Sequence, residues 1–199
     1  MKVHLLKTNP LQYSSNSYLL LGDWNRIDDV NTVIDVGIDG YILDTISAVS
    51  TGVGKKAIEQ VLLTHTHFDH AAGLPEVYSR YKPKIWAFGE TKVPGFRLQD
   101  GQLLKCGDDY LEVIHTPFHS NDSVCFYNKP AGIIFPGDLT MVIVGNDGTY
   151  PEAFLKFFHR LMRMRIKAIY PGHGDIIFKD VDKVLKMSLG NMEKSTILK

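Results

Sequence analysis

At 199 residues the chain is long enough for one domain with a buried core, and residues 1–199 read as a single unit without a linker or low-complexity stretch. Apolar residues make up 44% and charged residues 22%, ordinary proportions for a soluble globular protein. The 22 basic residues balance 22 acidic ones, which argues against broad electrostatic binding of nucleic acid or of an anionic membrane.

The first elements are strands, predicted over residues 3–7, 17–21 and 32–36 and closed by Pro10, Gly22-Asp23 and Gly37. Ile42, Ile46 and Val49 recur at helical spacing, and Gly52 to Gly54 end that helix. A strand at 61–63 leads into a helix over 70–81, and a strand at 84–88 into a loop over 90–97. A hairpin pairs 102–105 with 110–115 around Gly107-Asp108. Two further strands, 124–127 and 132–135, turn at 128–130. Residues 145–148 form a glycine-bearing loop. The clearest amphipathic helix covers 151–165, with Phe154, Leu155, Phe158, Leu161 and Met162 on one face. Its Arg160, Arg163 and Arg165, with Lys167, read as a solvated face. A strand at 168–170 and a helix at 181–192 complete the chain. So many strands and helices are best buried as two packed sheets with helices outside.

Only Cys106 and Cys125 are present, so no disulfide framework is implied, and a single bridge stays open. The first residues lack the apolar core of a signal peptide, and no apolar run reaches membrane-spanning length; the expected location is cytoplasmic.

The chemistry gathers at Thr64-His65-Thr66-His67-Phe68-Asp69-His70, after the apolar run Val61-Leu62-Leu63. Imidazole and carboxylate are good ligands for zinc and related divalent ions. In an extended segment His65 and His67 face the same way and can hold one ion together. Asp69 and His70 would diverge on a regular strand, so the chain must turn there, which suits two metals. The bland alternatives are a polar loop with chance histidines and Asp69 as a helix N-cap. Other ligands must come from elsewhere. His115-Thr116-Pro117-Phe118-His119-Ser120, Phe135-Pro136-Gly137-Asp138 and Tyr170-Pro171-Gly172-His173-Gly174 each follow a strand and pair a ligand residue with Pro or Gly.

In that order the motifs resemble those of the metallo-β-lactamase-fold superfamily of hydrolases, and Val33-Ile34-Asp35-Val36-Gly37 is similar to the family's early strand signature. The resemblance implies an α+β fold, the four-layer αβ/βα sandwich with two mixed sheets flanked by helices. It implies that His65, His67 and His119 hold one metal, that Asp69, His70 and His173 hold a second, and that Asp138 bridges them. Two divalent ions follow, zinc first, with iron or manganese suited to the same ligand types. A metal-bound hydroxide would attack an ester, thioester or lactone carbonyl of a small substrate, and Asp69 would carry the proton to the leaving group. The alternatives are a mononuclear iron sulfur-dioxygenase-like enzyme using His65, His67 and His119 alone, and a non-catalytic metal-binding module.

Overall the chain is most similar to the glyoxalase II-like group, but only about one helix follows His173, whereas that group's glutathione thioesterases carry an extra helical domain. Phe118 and Asp122 occupy two positions where the family often has glycine; they are expected to add bulk near the first metal and charge at the mouth. Residues 91–97 and 143–150 are expected to border the pocket, with Arg97 and Tyr150 as weak substrate contacts. Asp35 either orients a ligand imidazole or caps a loop. His115 is expected to support the site, while His4 and His159 are structural. The expected partner is a small molecule; the oligomeric state is open, a homodimer being one option.

Overall fold

The computed structural model describes all 199 residues. Six strands, β1 (Lys2–Leu6), β2 (Ser17–Leu21), β3 (Thr32–Ile34), β4 (Gln60–Leu62), β5 (Lys84–Ala87) and β6 (Phe96–Arg97), lie side by side in chain order. The β1–β2 and β2–β3 pairs are antiparallel, while β3 to β6 run parallel. A second sheet, in the order β12-β10-β9-β8-β7, contains β7 (Leu103–Cys106), β8 (Asp109–His115), β9 (Val124–Asn128), β10 (Ile133–Gly137) and β12 (Ala168–Pro171). Only its β10–β12 pair is parallel, so both sheets are mixed.

Side-chain alternation explains the layering. On β2, Leu19 and Leu21 face α1 (Ile42–Ser47) and α3 (Leu74–Tyr81), joining a core with Val33, Val61 and Ile85. Tyr18 and Leu20 point the other way, between the sheets, against Val113, Phe126 and Phe135. The outer face of the second sheet, through Ile114, Cys125, Tyr127 and Ile134, packs on α4 (Glu152–Leu161) and α5 (Val181–Glu193). Period-two strands buried on both faces need two covering layers, and the result is the expected αβ/βα sandwich. Cys106 and Cys125 are both buried and free, on different strands, so no bridge forms.

Three boundaries differ from expectation. The helix expected over 70–81 is two helices, α2 (Phe68–Ala71) and α3, separated at Gly73. A Cβ at Gly73 would lie 2.6 Å from the Asp39 carbonyl oxygen and 2.8 Å from that of Val36, so the chain must break there to pass close to the β3–α1 loop. Pro75 then starts a fresh helix, where its missing N–H costs nothing. The helix expected to reach residue 165 ends at Leu161, the last residue of its buried stripe. A two-stranded parallel pair, β11 (Thr149–Pro151) with β13 (Thr196–Leu198), was not predicted. It forms only because the chain's last residues return to the start of α4. No helix is long and apolar enough to cross a membrane.

Candidate metal centre

The parallel strands deliver their C-terminal ends to one edge of the sandwich, and the ligand residues sit just beyond them. Asp35 follows β3, His65 follows β4, Asp138 follows β10 and His173 follows β12; His119 follows β8 from the antiparallel part. The sequence therefore brings together residues as distant as Asp35 and His173 because each is tied to a strand terminus on the same edge.

There the donors fall into two groups. His65, His67 and His119 form one; Asp69, His70, Asp138 and His173 form the other, with all donor atoms in a group within 4.8 Å of one another. His67 Nδ1 and His119 Nε2 are 3.1 Å apart. His173 Nε2 is 2.9 Å from Asp69 Oδ2. Asp138 Oδ2 spans both groups, 4.0 Å from His65 Nε2 and 3.6 Å from both His119 Nε2 and His173 Nε2. Every residue expected as a ligand is thus present at one locus. Asp69 is not the N-cap of α2: that position belongs to His67, and Asp69 lies in the helix's first turn.

The donor chemistry fits cations. His65 Nε2, His70 Nε2 and Asp138 Oδ1 are buried without a hydrogen-bond partner. His70 Nε2 lies 3.1 Å from Asp138 Oδ1 but is poorly aligned for a hydrogen bond, so the pair is best described as an ionic contact. Buried polar atoms are ordinarily paired, so three orphans around one point mark a place for an ion. Burial, reinforced by charge on His70, pushes the His65 imidazole down to about 4, leaving a neutral lone pair ready to coordinate. Burial disfavours charge on His70 too, but the carboxylates of Asp35 and Asp138 outweigh it and raise that imidazole to about 10. Asp138 is opposed by burial yet drawn down to about 2 by His70, His173 and His65.

Asp35 orients this group. Its Oδ1 accepts from the Thr64 amide at 2.8 Å; its Oδ2 accepts from Thr64 Oγ1 at 2.7 Å and faces His70 Nδ1 at 2.8 Å. It is 1% exposed and adopts φ +53°, the left-handed region that Asp tolerates better than most residues. Both of its expected roles are observed: it faces the His70 imidazole and it caps the loop at Thr64. Fixing Nδ1 leaves Nε2 for the metal. We expect Asp35→Asn to weaken metal binding about 10–100-fold, because the NH2 that replaces one carboxylate oxygen cannot accept and would face a donor on Thr64 or His70. Competition with a chromogenic chelator measures this, and unchanged affinity would contradict the role.

Other residues differ from expectation. The Asp122 carboxylate is tied to its neighbours. Its Oδ2 accepts from the Thr66 amide at 2.9 Å and Thr66 Oγ1 at 2.7 Å, and its Oδ1 from Ser120 Oγ at 2.7 Å. It buckles the His65–His70 loop to the His119 loop. Phe118 packs on Phe154 and Phe157 of α4 rather than crowding the metals. His115 stacks on Phe88 with centroids 4.0 Å apart and contacts the Asn121 carbonyl through Nε2 at 2.9 Å, a supporting role. Arg97 lies over Phe88 and lines a separate depression with residues 87–96. Tyr150 packs on Phe154. Neither stretch that carries them walls the cavity at the ligands. Thr91 and Lys92 only edge a small depression beside Thr66 and Phe68. His159 faces Glu193 at 3.5 Å, and His4 is half-buried on β1.

That cavity is formed by residues 137–142 and 169–177 and has a volume of about 540 Å³. Sequence reasoning did not find it, nor did it find the loop before β2. There Ser15 N donates to the Asp69 carbonyl at 3.0 Å, and Asn16 N to the Gly172 carbonyl at 2.7 Å. Asn16 Nδ2 reaches the carbonyls of Pro171 and Gly174. Tyr13, mostly exposed, stacks on the His173 imidazole with centroids 4.7 Å apart.

Two His/Asp clusters at the strand ends of an αβ/βα sandwich are consistent with a dinuclear metal site. A model of the metallo-beta-lactamase superfamily matches residues 11–173, and the chain belongs to that family. It is 28% identical to an atrochrysone carboxyl ACP thioesterase of Aspergillus fumigatus, across 89% of this chain and 45% of that protein. It is 30% identical to a hydroxyacylglutathione hydrolase of Maricaulis maris, across 54% of this chain and 43% of that one. The chain therefore spans less than half the length of these relatives. Among solved structures, a metallo-beta-lactamase family protein from Thermus thermophilus shares the fold with a TM-score of 0.70 at 20% identity, covering 96% of this chain and 79% of the other.

Proposed function

We propose that the chain is a dinuclear-metal hydrolase that cleaves an ester, thioester or lactone carbonyl of a small molecule. The observation that carries this reading is the placement of Asp138 between two complete donor groups. His65, His67 and His119 would hold one ion, and Asp69, His70 and His173 the other, with zinc the first choice. Ions so bound would lower the pKa of water and polarise a carbonyl.

The protein's own groups supply the rest. Exposed His67 and His119 leave the first group open to substrate. Asp69, with Oδ2 2.9 Å from His173 Nε2, accepts the proton of the attacking water as the water oxygen bonds to the carbonyl carbon. The same proton then passes to the departing sulfur or oxygen as its bond to carbon breaks, giving an acid and a thiol or alcohol. Asp35 and Asp122 keep the ligand loops in register. Similarity to relatives named for thioester hydrolysis supports a thioester among the three carbonyl types. The second donor group favours this reading over an iron dioxygenase that needs only the three histidines.

The test is a panel of esters, thioesters and lactones, with β-lactam and phosphodiester controls, assayed on chelated and zinc-reconstituted protein. Turnover on a carbonyl substrate that vanishes with chelator and returns with metal is expected. A metal-loaded protein inert across the panel would overturn the proposal.

A further inference from the structure

Building on the hydrolase reading, we infer that the substrate's acyl group is apolar and uncharged, and that it seats in the cavity running from Asp138 toward Ile177. At one end of the cavity stand His119, Asp138 and His173. Its body is walled by Leu139, Met141, Val142, Ile169 and Ile177. A volume of about 540 Å³ falls within the range of small-molecule sites. Leu139, Met141 and Ile169 are at most 5% exposed, so the deep wall is rigid core, shared with α4 and α5. Val142, at 38% exposure, sits toward the open side.

Charge decides against an anionic acyl group. No lysine or arginine lines the cavity, and its charged wall away from the ligands is Asp175. A carboxylate entering here would lose water, find no cation and meet a like charge, and an unpaired buried charge is costly. The chain does not lack cations; it places them elsewhere. Lys55, Lys56, Lys82, Lys84 and Lys105 line a separate cleft by the N-terminal ends of β4 and β5, the end of those strands away from the metal centre. On the other flank of the His67 loop, the depression beside Thr66 and Phe68 is about 130 Å³ and carries Glu90 and Lys92. Its small volume and its one cation, Lys92, suit the leaving group, which leaves the cation-free cavity to the acyl chain.

The test uses thioesters of one small thiol with acetyl, butyryl, hexanoyl and octanoyl groups, against succinyl, glutaryl and adipoyl counterparts. On metal-loaded protein kcat/KM should rise about fourfold per added methylene until the cavity fills, and the carboxylated series should be poor throughout. Val142→Trp should cut kcat/KM for the octanoyl substrate far more than for the acetyl one, flattening the rise with chain length. Asp175→Lys should raise the carboxylated series. Calorimetry on chelated protein gives a second readout without turnover: octanamide should bind, and succinamate should not. Equal or better use of the carboxylated series, or succinamate binding as well as octanamide, would overturn the inference. If no thioester is cleaved, the ester and lactone panel decides the hydrolase reading and the calorimetry alone decides the character of the cavity.

Discussion

Asp138→Ala should cost the protein both metals and reduce turnover by at least the order of 10²–10³-fold associated with loss of one preorganised charge-stabilising group. The reason is position. Asp138 is the only carboxylate with an oxygen within 4.0 Å of histidines in both groups. It also supplies one of the two carboxylates in the ligand set, so its removal leaves five imidazoles and Asp69 to balance two divalent ions. The fold should survive, because the side chain is half-buried and its contacts are to the ligand imidazoles rather than to the core. Metal analysis beside steady-state kinetics and circular dichroism checks this. A folded variant that keeps two ions and full turnover would show that Asp138 does not join the groups.

The second large effect concerns the strand that carries Asp138. Phe135 is fully buried between the two sheets, against Tyr18 at 5.5 Å and Tyr170 at 5.1 Å between ring centroids. It stands three residues before Asp138 at the end of β10. Phe135→Ala should destabilise the protein by about 3–5 kcal/mol through lost burial and the cavity left behind, lowering Tm by on the order of 10 °C. Denaturant and thermal unfolding would measure it. A loss below about 1 kcal/mol would mean that the sheets close over the gap far better than aromatic packing between rigid layers allows.

Much of the site was legible because its residues obey local rules. The His65–His70 segment, His119, Asp138 and His173 each follow an apolar strand, the last three in motifs with Pro or Gly, and the structure sets all of them at one edge. Gly137 shows why such turns are specific: at φ +57° a Cβ there would lie 2.6 Å from Thr64 Oγ1, the hydroxyl that donates to Asp35. The layered fold was legible for a similar reason, since strand alternation and the helical stripes of α4 are local periodicities. What escaped was non-local. Asp122 reads as an acidic residue near a mouth until its bonds to Thr66, 56 positions away, are seen. Tyr13 carries no signal, because its stacking on His173 depends on how the loop before β2 is pinned by Asn16. The apolar cavity is assembled from the segments after β10 and β12, and either alone looks like ordinary core. The break at Gly73 was within reach, since Gly followed by Leu74-Pro75 is a helix-restart signal.

The central claim is that this chain holds two ions side by side. Anomalous diffraction at the metal absorption edge tests it most directly. Two peaks roughly 3.5–4 Å apart are expected, one ringed by His65, His67 and His119, the other by Asp69, His70 and His173, with Asp138 touching both. A single peak confined to the three histidines, in protein grown with excess metal, would contradict the account.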